Sequence, residues 1–315
     1  MSILLDIETR VVVQGIGSQG TFHARRNADY GTKVVAGTHP KRGGSTWEEL
    51  SVPVYTAVAD ALAKEGANTS MIMVPAPFAA DAILEAADAG VDLIVCITEG
   101  IPLHDMARVY NTLYPRRGDG TFIKEGRPVL VGPNCPGLIS PGKANVGIIP
   151  GEITRPGNVG LVSRSGTLTY QIMYELAAAG VGISTCVGIG GDPIIGTNFL
   201  DVIPRFVADP ETEAIVFVGE IGGTEEQRVG EWIAEHAPDT PVVAYVAGYT
   251  APPGKQMGHA GAIVREGGGG GETAADKKTA LEALGIAVGT NPTETADLMI
   301  ARLAYRGHLP ALRSR

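Results

Sequence analysis

The fold is decided by the stretch Arg10-Val11-Val12-Val13-Gln14-Gly15-Ile16-Gly17-Ser18-Gln19-Gly20, which continues into Thr21-Phe22-His23-Ala24. The apolar run predicts a buried strand, the G-x-G-x-x-G spacing predicts a tight turn, and the residues after it are compatible with a helix. In this arrangement the glycines let a pyrophosphate approach the backbone and meet the free N–H groups that begin the helix. The stretch therefore predicts a phosphate- or pyrophosphate-binding loop, with a purely structural glycine turn as the alternative. The residues predicted to surround the phosphates are Gly15, Gly17, Ser18, Gln19 and Gly20.

Short apolar runs alternate with amphipathic stretches along the rest of the chain. The candidate strands are Arg10–Gln14, Thr32–Gly37, Met71–Val74, Leu93–Ile97 and Val129–Val131 in the first half, and Gly160–Val162, Thr185–Gly188, Ala214–Gly219 and Val242–Ala247 in the second. The clearest helical patterns are Ala57–Lys64, Ala79–Ala89 and Ala274–Leu284. Strands that alternate with helices indicate βαβ units, and hence an α/β fold with parallel sheets covered on both faces.

The domain organisation follows from a pause in this alternation. Ser140–Pro156 is rich in Gly and Pro, which is typical of a linker. This predicts a first domain at residues 1–142, a linker at 143–158 and a second α/β domain at 159–315. Tyr114–Gly126 is polar and predicts an inserted surface hairpin or loop, while Lys277 and Lys278 are predicted to lie on a solvated helix face.

Composition excludes several classes of function. The 315 residues fit two domains, and 34 acidic against 25 basic residues give a net charge of −9. An acidic chain argues against nucleic acid or an anionic membrane surface as its partner. The first residues lack the basic start and apolar length of a secretory signal, and no apolar run approaches the ~20 residues of a membrane span. Cys96, Cys135 and Cys186 lie far apart and outside any metal-ligand spacing. We therefore expect a cytoplasmic protein without a metal site.

The end of the second strand narrows the choice of ligand. An NAD site requires an acidic residue there, about 20 residues after the glycines, to bond the ribose hydroxyls. This chain instead has Thr38-His39-Pro40-Lys41-Arg42-Gly43-Gly44, with two cations and no carboxylate. Cations at this place favour a ligand with an additional phosphate on its ribose, either NADP or coenzyme A. A solvated basic turn is the alternative.

A second candidate site lies in the second half of the chain. In Gly258-His259-Ala260-Gly261 the neighbouring glycines present an imidazole that is suited to nucleophilic chemistry, although a loop histidine without a role fits equally. Glu220 follows a predicted strand, where its carboxylate can hold one ring nitrogen and leave the other free. Ser165 or Thr167 can cap a helix whose first N–H groups attract an anion. The alternatives are a solvated acid and an ordinary helix start.

No nucleoside triphosphate loop is predicted. Gly248–Gln256 resembles a P-loop, but it has one residue too many and lacks the final Ser or Thr. The glycine run 267–271 has no Lys-Ser/Thr beside it and predicts a flexible loop.

Together these segments resemble the α subunits of succinyl-CoA synthetases (succinate–CoA ligases, ADP- or GDP-forming) over nearly the whole chain. The stretches that carry the resemblance are Gly15–Phe22, Val74–Phe78, Ile97–Pro102, Gly132–Gly137, Ser163–Tyr170, Gly188–Pro193, Gly219–Gly223 and Gly258–Ile263. The resemblance implies a Rossmann-like coenzyme A-binding domain followed by a flavodoxin-like, doubly wound α/β domain. The first loop is one residue shorter than the family's Gly-Phe-Thr-Gly-x-x-Gly, and Lys41-Arg42 stand where the family has one lysine, so either cation is expected to meet coenzyme A.

The resemblance also implies roles for individual residues. His259 would be phosphorylated, Glu220 would orient it, and a helix headed by Ser165, Gly166 and Thr167 would receive the phosphoryl group. The further residues implied to contact coenzyme A are Pro75, Ile97, Thr98, Glu99, Asn134, Cys135 and Pro136. The nucleotide and its Mg²⁺ would be held by a separate β subunit of ATP-grasp type, in an αβ or α2β2 assembly of the tricarboxylic acid cycle.

The leading hypothesis is a reversible ligase in which an acid and NTP give an acyl phosphate, His259 takes the phosphoryl group, and the coenzyme A thiol attacks the acyl group. Three alternatives remain open from the sequence. They are a related ligase for another acid such as malate, an NADP-dependent oxidoreductase, and a non-catalytic coenzyme A-binding protein.

Overall fold

The computed structural model describes residues 2–252, 254–264 and 270–305. Within these residues the first half of the chain forms one seven-stranded sheet in the order β3-β4-β2-β1-β5-β6-β7. Its strands are β1 (Arg10–Gln14), β2 (Lys33–Thr38), β3 (Thr46–Trp47), β4 (Val52–Tyr55), β5 (Thr69–Ile72), β6 (Leu93–Cys96) and β7 (Val129–Val131). All pairs are parallel except β3 with β4. The strand order reverses at β1, which creates a crevice at the carboxyl ends of β1 and β5.

Helices cover this sheet because its strands are apolar on both faces. They are α1 (Ser18–Asp29), α2 (Val58–Glu65), α3 (Ala76–Ala89) and α4 (Leu103–Leu113). Val11, Val12 and Val13 of β1 are completely buried, as expected for a central parallel strand. The crossover helices thus leave the loops at the carboxyl ends of the strands as the open side of the sheet.

The second half forms another sheet, of seven strands among the described residues, in the order β14-β13-β12-β10-β11-β8-β9. Its strands are β8 (Gly137–Ser140), β9 (Ala144–Gly147), β10 (Pro156–Ser163), β11 (Ile183–Gly188), β12 (Ala214–Glu220), β13 (Val242–Ala247) and β14 (Ala287–Gly289). The helices are α5 (Gly166–Ala178), α6 (Phe199–Ala208), α7 (Glu225–His236), α8 (Ala274–Ala283) and α9 (Pro292–Tyr305). The parallel strands β10 to β14 place the loops after β10 and β12 at one edge. The two sheets confirm the predicted α/β class, with a Rossmann-like first half followed by a second α/β half.

The segment predicted to be a linker, 143–158, contains regular structure. It holds β9 and a 3-10 turn at Gly151–Ile153, and β9 pairs with β8 as an antiparallel hairpin at the edge of the second sheet. The hairpin contacts α1, since the Asn27 amide donates to the Gly147 carbonyl (3.0 Å) and accepts from the Gly147 N–H (3.2 Å). One buried apolar cluster also includes strands of both sheets, such as Val13 of β1 and Val162 of β10. The halves therefore share part of their core, and the domain bounds stay a prediction.

The remaining predictions of elements fare differently. Strands β1, β7 and β13 have the predicted bounds, β6 is one residue shorter than predicted, and the other predicted strands shift or lengthen by one to four residues at an end. Arg116 and Phe122 form an antiparallel bridge, so Tyr114–Gly126 is a hairpin. Pro253 and residues 265–269, which include part of the predicted glycine-rich loop, lie outside the described residues. Among the described helices, none combines the length and apolarity that a bilayer span requires.

Candidate active site

Glu220 and His259 are in direct contact. Glu220 ends the completely buried strand β12, and its Oε2 lies 2.6 Å from His259 Nδ1. The Glu220 side chain is 11% exposed and that of His259 is 26% exposed, so the pair is partly accessible to solvent and not completely buried. A hydrogen bond to Nδ1 fixes the tautomer and leaves Nε2 free to act as a nucleophile. The sequence prediction that Glu220 and His259 come together is thus met by the geometry.

The loop that carries His259 is a tight turn closed by backbone hydrogen bonds. The Met257 N–H donates to the Ala262 carbonyl (2.9 Å), and the Ala262 N–H donates to the His259 carbonyl (3.1 Å). Gly222, with φ +91°, lies below the loop, because a Cβ at this position would come within 2.2 Å of the Gly261 carbonyl oxygen. The turn after β12 and the loop of His259 therefore pack backbone to backbone.

Gly191 forms the other wall of the imidazole site. A Cβ on Gly191 would lie 2.3 Å from His259 Cδ2 and 2.4 Å from Nε2, so the ring rests directly on the Gly191 backbone. Any side chain at this position would displace the ring. The position of His259 is thus set by one carboxylate and one glycine from different loops.

Charged groups around the imidazole set its protonation. The pKa of His259 is raised above its ordinary value of 6.5, mainly by the hydrogen bond to Glu220 and also by the charge of Glu99, while burial and Arg164 oppose the rise. Arg164 Nη1 lies 3.7 Å from Glu220 Oε1, and its Nη2 lies 2.5 Å from Glu225 Oε2. Burial raises the pKa of the nearby Asp192 carboxyl, with a further contribution from Glu99. Three further carboxyl groups, those of Glu99, Asp192 and Glu225, and one guanidinium therefore lie around His259 and Glu220.

Helix α5 begins beside this group of charges. Ser165 is its N-cap and accepts a hydrogen bond from the Leu168 N–H at 3.4 Å, whereas Thr167 is exposed and does not cap the helix. Gly166 is the first helical residue, and its ideal Cβ position is 3.7 Å from Pro136 Cβ. The residue before the cap is Arg164, whose guanidinium reaches Glu220, so the helix start and the histidine site are linked through one side chain.

A large cavity occupies the crevice at the carboxyl ends of β1 and β5 in the first sheet. Its volume is about 910 Å³, in the range of small-molecule sites. The predicted ligand-contacting residues that line it are Gly15, Gly17, Ser18, Gln19, Gly20, Lys41 and Pro75. Phe78 and Glu85 line it as well, and neither was predicted. Of the predicted residues, those outside its lining are Arg42, Ile97, Thr98, Glu99, Asn134, Cys135 and Pro136.

A chain of short contacts connects the cavity with the imidazole. Thr98 Oγ1 donates to the carbonyl of Val74, a cavity residue (2.7 Å), and the Thr98 carbonyl accepts from the Asn134 N–H (2.9 Å). The Asn134 carbonyl in turn accepts from the Gly191 N–H (3.1 Å). Asn134 has φ +54°, a left-handed conformation that asparagine tolerates better than most residues. The loops at 97–99 and 132–136 therefore lie between the cavity and His259.

Cys135 belongs to these loops, but its thiol is directed into the interior of the protein. The side chain is buried, and the single S–H lies within hydrogen-bonding distance of two carbonyls, those of Cys96 (3.3 Å) and Val131 (3.7 Å). Burial raises the pKa of the thiol to about 12. The side chain of Cys135 therefore packs in the interior.

The prediction that Lys277 lies on a solvated face is wrong. The residue is completely buried, and its Nζ donates to the Glu220 and Gly222 carbonyls (2.7 Å each) and to the Glu226 carboxylate. The neighbouring Lys278 is partly exposed and pairs with Glu282. Helix α8 packs on α7, and Glu226 on α7 supplies the charge that lets one of two consecutive lysines face inward.

Arg164, Gly191, Asp192 and Glu226 form part of this site, and no role was predicted for them. Arg164 follows β10 directly, at the edge where functional groups collect, which is a usable signal. Gly191 and Asp192 lie in a Gly-rich stretch whose packing against His259 has no pattern within the sequence. For Glu226 the only signal is a charged residue on an otherwise ordinary helix.

Two family models match parts of the chain. The family described as "CoA binding domain" matches residues 6–100, and that described as "CoA-ligase" matches residues 162–287. The α subunit 2 of an ADP-forming succinate–CoA ligase from Archaeoglobus fulgidus is 57% identical over 300 residues, which are 95% of this chain and 99% of that protein. The corresponding α subunit from Aquifex aeolicus is 53% identical over 298 residues, 94% of this chain and 93% of the relative.

A solved structure is similar over almost the whole chain. The ATP citrate lyase from Methanothrix soehngenii, solved with citrate and coenzyme A, superposes with a TM-score of 0.81 at 26% identity. The match covers 99% of this chain, which spans about half (53%) of that longer protein.

Proposed function

The chain belongs to the family of succinate–CoA ligase α subunits and is an acid–thiol ligase subunit; from this premise we propose that it acts through a phosphorylated His259. The observation that carries the proposal is the 2.6 Å contact between His259 Nδ1 and Glu220 Oε2, which leaves Nε2 as the reacting atom. We propose succinate as the acid, as in the names of the relatives.

The residues of the site support one order of events. His259 Nε2 takes the terminal phosphoryl group of the nucleotide and releases the nucleoside diphosphate; a carboxylate oxygen of the acid then takes this group from Nε2, breaking the P–N bond, to form an acyl phosphate. The coenzyme A thiol supplies the nucleophile that attacks the acyl carbon and releases phosphate. We place the phosphohistidine before the acyl phosphate, contrary to the expected order, because transfer from acyl phosphate to His259 would return the free acid and lose its activation.

The groups around His259 support this chemistry. Glu220 holds Nδ1 and stabilises the cationic ring that forms during transfer. The N–H groups that begin α5 after Ser165, together with the Arg164 guanidinium, favour a dianionic phosphoryl group at Nε2. Phosphohistidine keeps its transfer potential, because the P–N bond is a high-energy bond. A nucleophile, an orienting acid and an anion site are thereby combined.

We propose that coenzyme A binds in the cavity beside β1 and β5. Glycine is required within the loop, because a Cβ on Gly20 would lie 1.8 Å from the Gly15 carbonyl oxygen. A Cβ on Gly17 would meet nothing within 4 Å, so its backbone faces open space in the cavity. The helix α1 that follows has no side-chain cap at Gly17, which leaves its first N–H groups for phosphate oxygens. Lys41 lines the cavity and adds a positive charge.

Replacing Gly17 with valine is expected to weaken coenzyme A binding about 10- to 100-fold. The new side chain fits the free protein but occupies the approach to the backbone, and losing one hydrogen bond to a charged group costs about 1.5–3 kcal/mol. Calorimetry with the assembled complex measures the affinity. Gly118→Val is the matched control, since a Cβ on Gly118 also meets nothing within 4 Å and the residue lies in the hairpin at 114–126. Equal affinity for the Gly17 variant and the wild type would refute this placement.

The pH dependence of phosphorylation should change when Glu220 is replaced by glutamine. A raised pKa keeps the imidazole protonated, and so not nucleophilic, up to a pH above 6.5; the wild-type rate should therefore fall on acidification with a midpoint above this value. Without the carboxylate, burial and Arg164 lower the pKa, and the midpoint should move to lower pH while the maximal rate falls. Initial rates of labelled phosphate incorporation between about pH 5.5 and 8.5 measure both changes. A midpoint that stays or rises in Glu220→Gln would contradict the assigned role.

We further propose that a separate β subunit of ATP-grasp type holds the nucleotide and Mg²⁺, in an αβ or α2β2 assembly in the cytoplasm. The division of the chain into a coenzyme A-binding domain and a ligase domain belongs to the same proposal. Purified chain and reconstituted complex should be compared for coenzyme A-dependent NTP consumption with succinate, malate and other carboxylic acids. Turnover only in the complex, and fastest with succinate, is the expected result; turnover by the isolated chain would overturn the partner requirement.

A further inference from the structure

A buried ion pair lies behind the strand end that carries Glu220. Lys277 of α8 is 0% exposed and Glu226 of α7 is 2% exposed, and their charged groups are in contact. We propose that Lys277 and Glu226 are positioning residues for the phosphohistidine: together they hold the backbone of Glu220 and so fix its carboxylate against His259. This inference rests on the proposed role of His259.

The two side chains bind both backbone groups of Glu220. Glu226 Oε1 accepts a hydrogen bond from the Glu220 N–H at 3.1 Å. Lys277 Nζ donates to the Glu220 carbonyl at 2.7 Å and to the Gly222 carbonyl at 2.7 Å. Its third proton goes to Glu226 Oε2. All three protons of the ammonium group are therefore used, one of them on the last residue of β12 and one on the turn that follows it.

These contacts replace the backbone hydrogen bonds that β10 would have made to Glu220 if the pairing of β10 with β12 had continued to this residue. On the β10 side, β12 is paired up to Val218, whose carbonyl accepts from the Arg164 N–H at 3.1 Å. Glu220 points its N–H and carbonyl to the same side, two residues later, where the chain of β10 has already turned away into α5. Glu226 and Lys277 supply the missing partners. The sheet is thus continued by two side chains at the residue that holds the imidazole.

The neighbouring glycines show that this arrangement is built closely. A Cβ on Gly219 would lie 2.3 Å from Glu226 Oε1, so the carboxylate fits only beside a glycine. Lys277 also binds Gly222, and the loop of His259 packs on this residue. A Cβ on Gly222 would lie 2.2 Å from the Gly261 carbonyl oxygen. Lys277 therefore binds the backbone of Glu220, which carries the carboxylate, and the backbone of Gly222, on which the loop of His259 packs.

Simple packing does not explain the pair. Taking a lysine and a glutamate out of water is costly, and apolar residues of similar volume usually fill such a space at least as well. An apolar pair, however, cannot bond the Glu220 N–H and the two carbonyls. The ion pair instead fixes the orientation of the Glu220 backbone. The Glu220 carboxylate needs this fixed orientation to meet Nδ1 of His259 at 2.6 Å.

The test uses the assembled complex with labelled NTP and the variant Lys277→Met. The methionine keeps the length of the side chain but releases both carbonyls, so the carboxylate of Glu220 is free to move. A misplacement of about 1 Å can slow a reaction roughly 100-fold, and we expect phosphate incorporation at His259 to slow about 10- to 100-fold. Coenzyme A affinity should stay unchanged. Lys278→Met, which removes the partly exposed neighbouring lysine of the same helix, is the matched control and should retain the wild-type rate.

The pH profile separates positioning from a general loss of structure. The charged or titratable groups that affect the imidazole are Glu220, Arg164 and Glu99, with Asp192 beside them. Lys277→Met alters none of these groups, so a shift of the acid midpoint to lower pH would report that the Glu220 carboxylate has moved away from Nδ1. A slower rate with the wild-type midpoint would overturn the inference.

A second variant covers the case in which Lys277→Met leaves Glu226 unpaired and unfolds the chain. In Lys277→Met/Glu226→Gln neither member of the former pair carries a charge, and the glutamine Oε1 can still accept from the Glu220 N–H while its amide donates to a carbonyl. This double variant should regain part of the rate; a rate and pH midpoint equal to wild type in a folded Lys277 variant would refute the inference. A wild-type complex that forms no phosphohistidine would instead refute the proposed function itself.

Discussion

Replacing His259 with asparagine is expected to abolish both the phosphoryl adduct and net ligase turnover. The asparagine amide can still donate a hydrogen bond to the Glu220 carboxylate, but it has no nucleophilic nitrogen to replace Nε2. Labelled NTP should give an acid-labile, base-stable adduct on His259 in the wild-type complex and none in the variant, whereas calorimetry should give the same coenzyme A affinity for both. The effect is the largest predicted here, because covalent catalysis has no substitute path through a neighbouring group.

The matched control is His236→Asn. His236 lies on α7 in the same half of the chain, is exposed, and stacks on Trp232. Its replacement should leave labelling and turnover unchanged. Normal turnover in His259→Asn, or label that maps to a different residue, would rule out the mechanism.

The second largest effect is expected from Gly191→Ala. The added methyl group would lie within 2.4 Å of His259 Nε2 and Cδ2, so the ring must leave its position against the backbone. Because the displaced ring moves Nε2 from its reactive position and Nδ1 from its contact with Glu220, turnover should fall about 100-fold or more. The protein should still fold, since the displaced group is the end of a partly exposed side chain. Single-turnover labelling of the assembled complex measures the loss.

Gly261→Ala tests whether the loss of turnover in Gly191→Ala comes from the collision with the His259 ring and not from the loss of a glycine near the site. A Cβ on Gly261 would meet only Glu220 Oε1, at an ordinary distance of 3.9 Å, although the residue lies in the histidine loop itself. This variant should keep most of its turnover. If Gly191→Ala and Gly261→Ala lost activity equally, the loop would be sensitive to any change and the assigned contact would have no special importance.

The strands of the core could be predicted from the sequence because apolar runs are local signals. Val129–Val131 and Val242–Ala247 have the predicted bounds, and both are flanked by polar or turn-forming residues. The hairpin of β8 and β9 was instead not predicted, since β9 falls within the predicted linker at 143–158. Its glycines serve close pairing: a Cβ on Gly137 would lie 2.1 Å from the Val146 carbonyl oxygen. Whether a glycine marks a loose segment or a tight contact depends on a strand that is distant in space, which local composition does not reveal.

The site shows the same division between local and distant information. Glu220 and Gly17 follow apolar runs, so the rule that function collects at the carboxyl ends of strands was enough to select them. Lys277 was assigned to solvent because lysine usually lies there, and its partner Glu226 is 51 residues away. The wall at Gly191 depends on packing against His259 from a separate loop. Side chains that position other residues leave little trace in a single sequence.

The inward-facing thiol of Cys135 has a consequence for the behaviour of the protein toward oxidants. A cysteine near a bound thiol substrate is exposed to mixed-disulfide formation, and this reaction requires a thiolate that can reach the other sulfur. Sγ of Cys135 lies within hydrogen-bonding distance of two carbonyls, and burial raises the pKa of this thiol to about 12. Burial also raises the pKa of the Cys96 and Cys186 thiols. In the folded chain the reactive thiol is therefore that of the substrate and not that of a cysteine. The cysteines should react with disulfides only after unfolding.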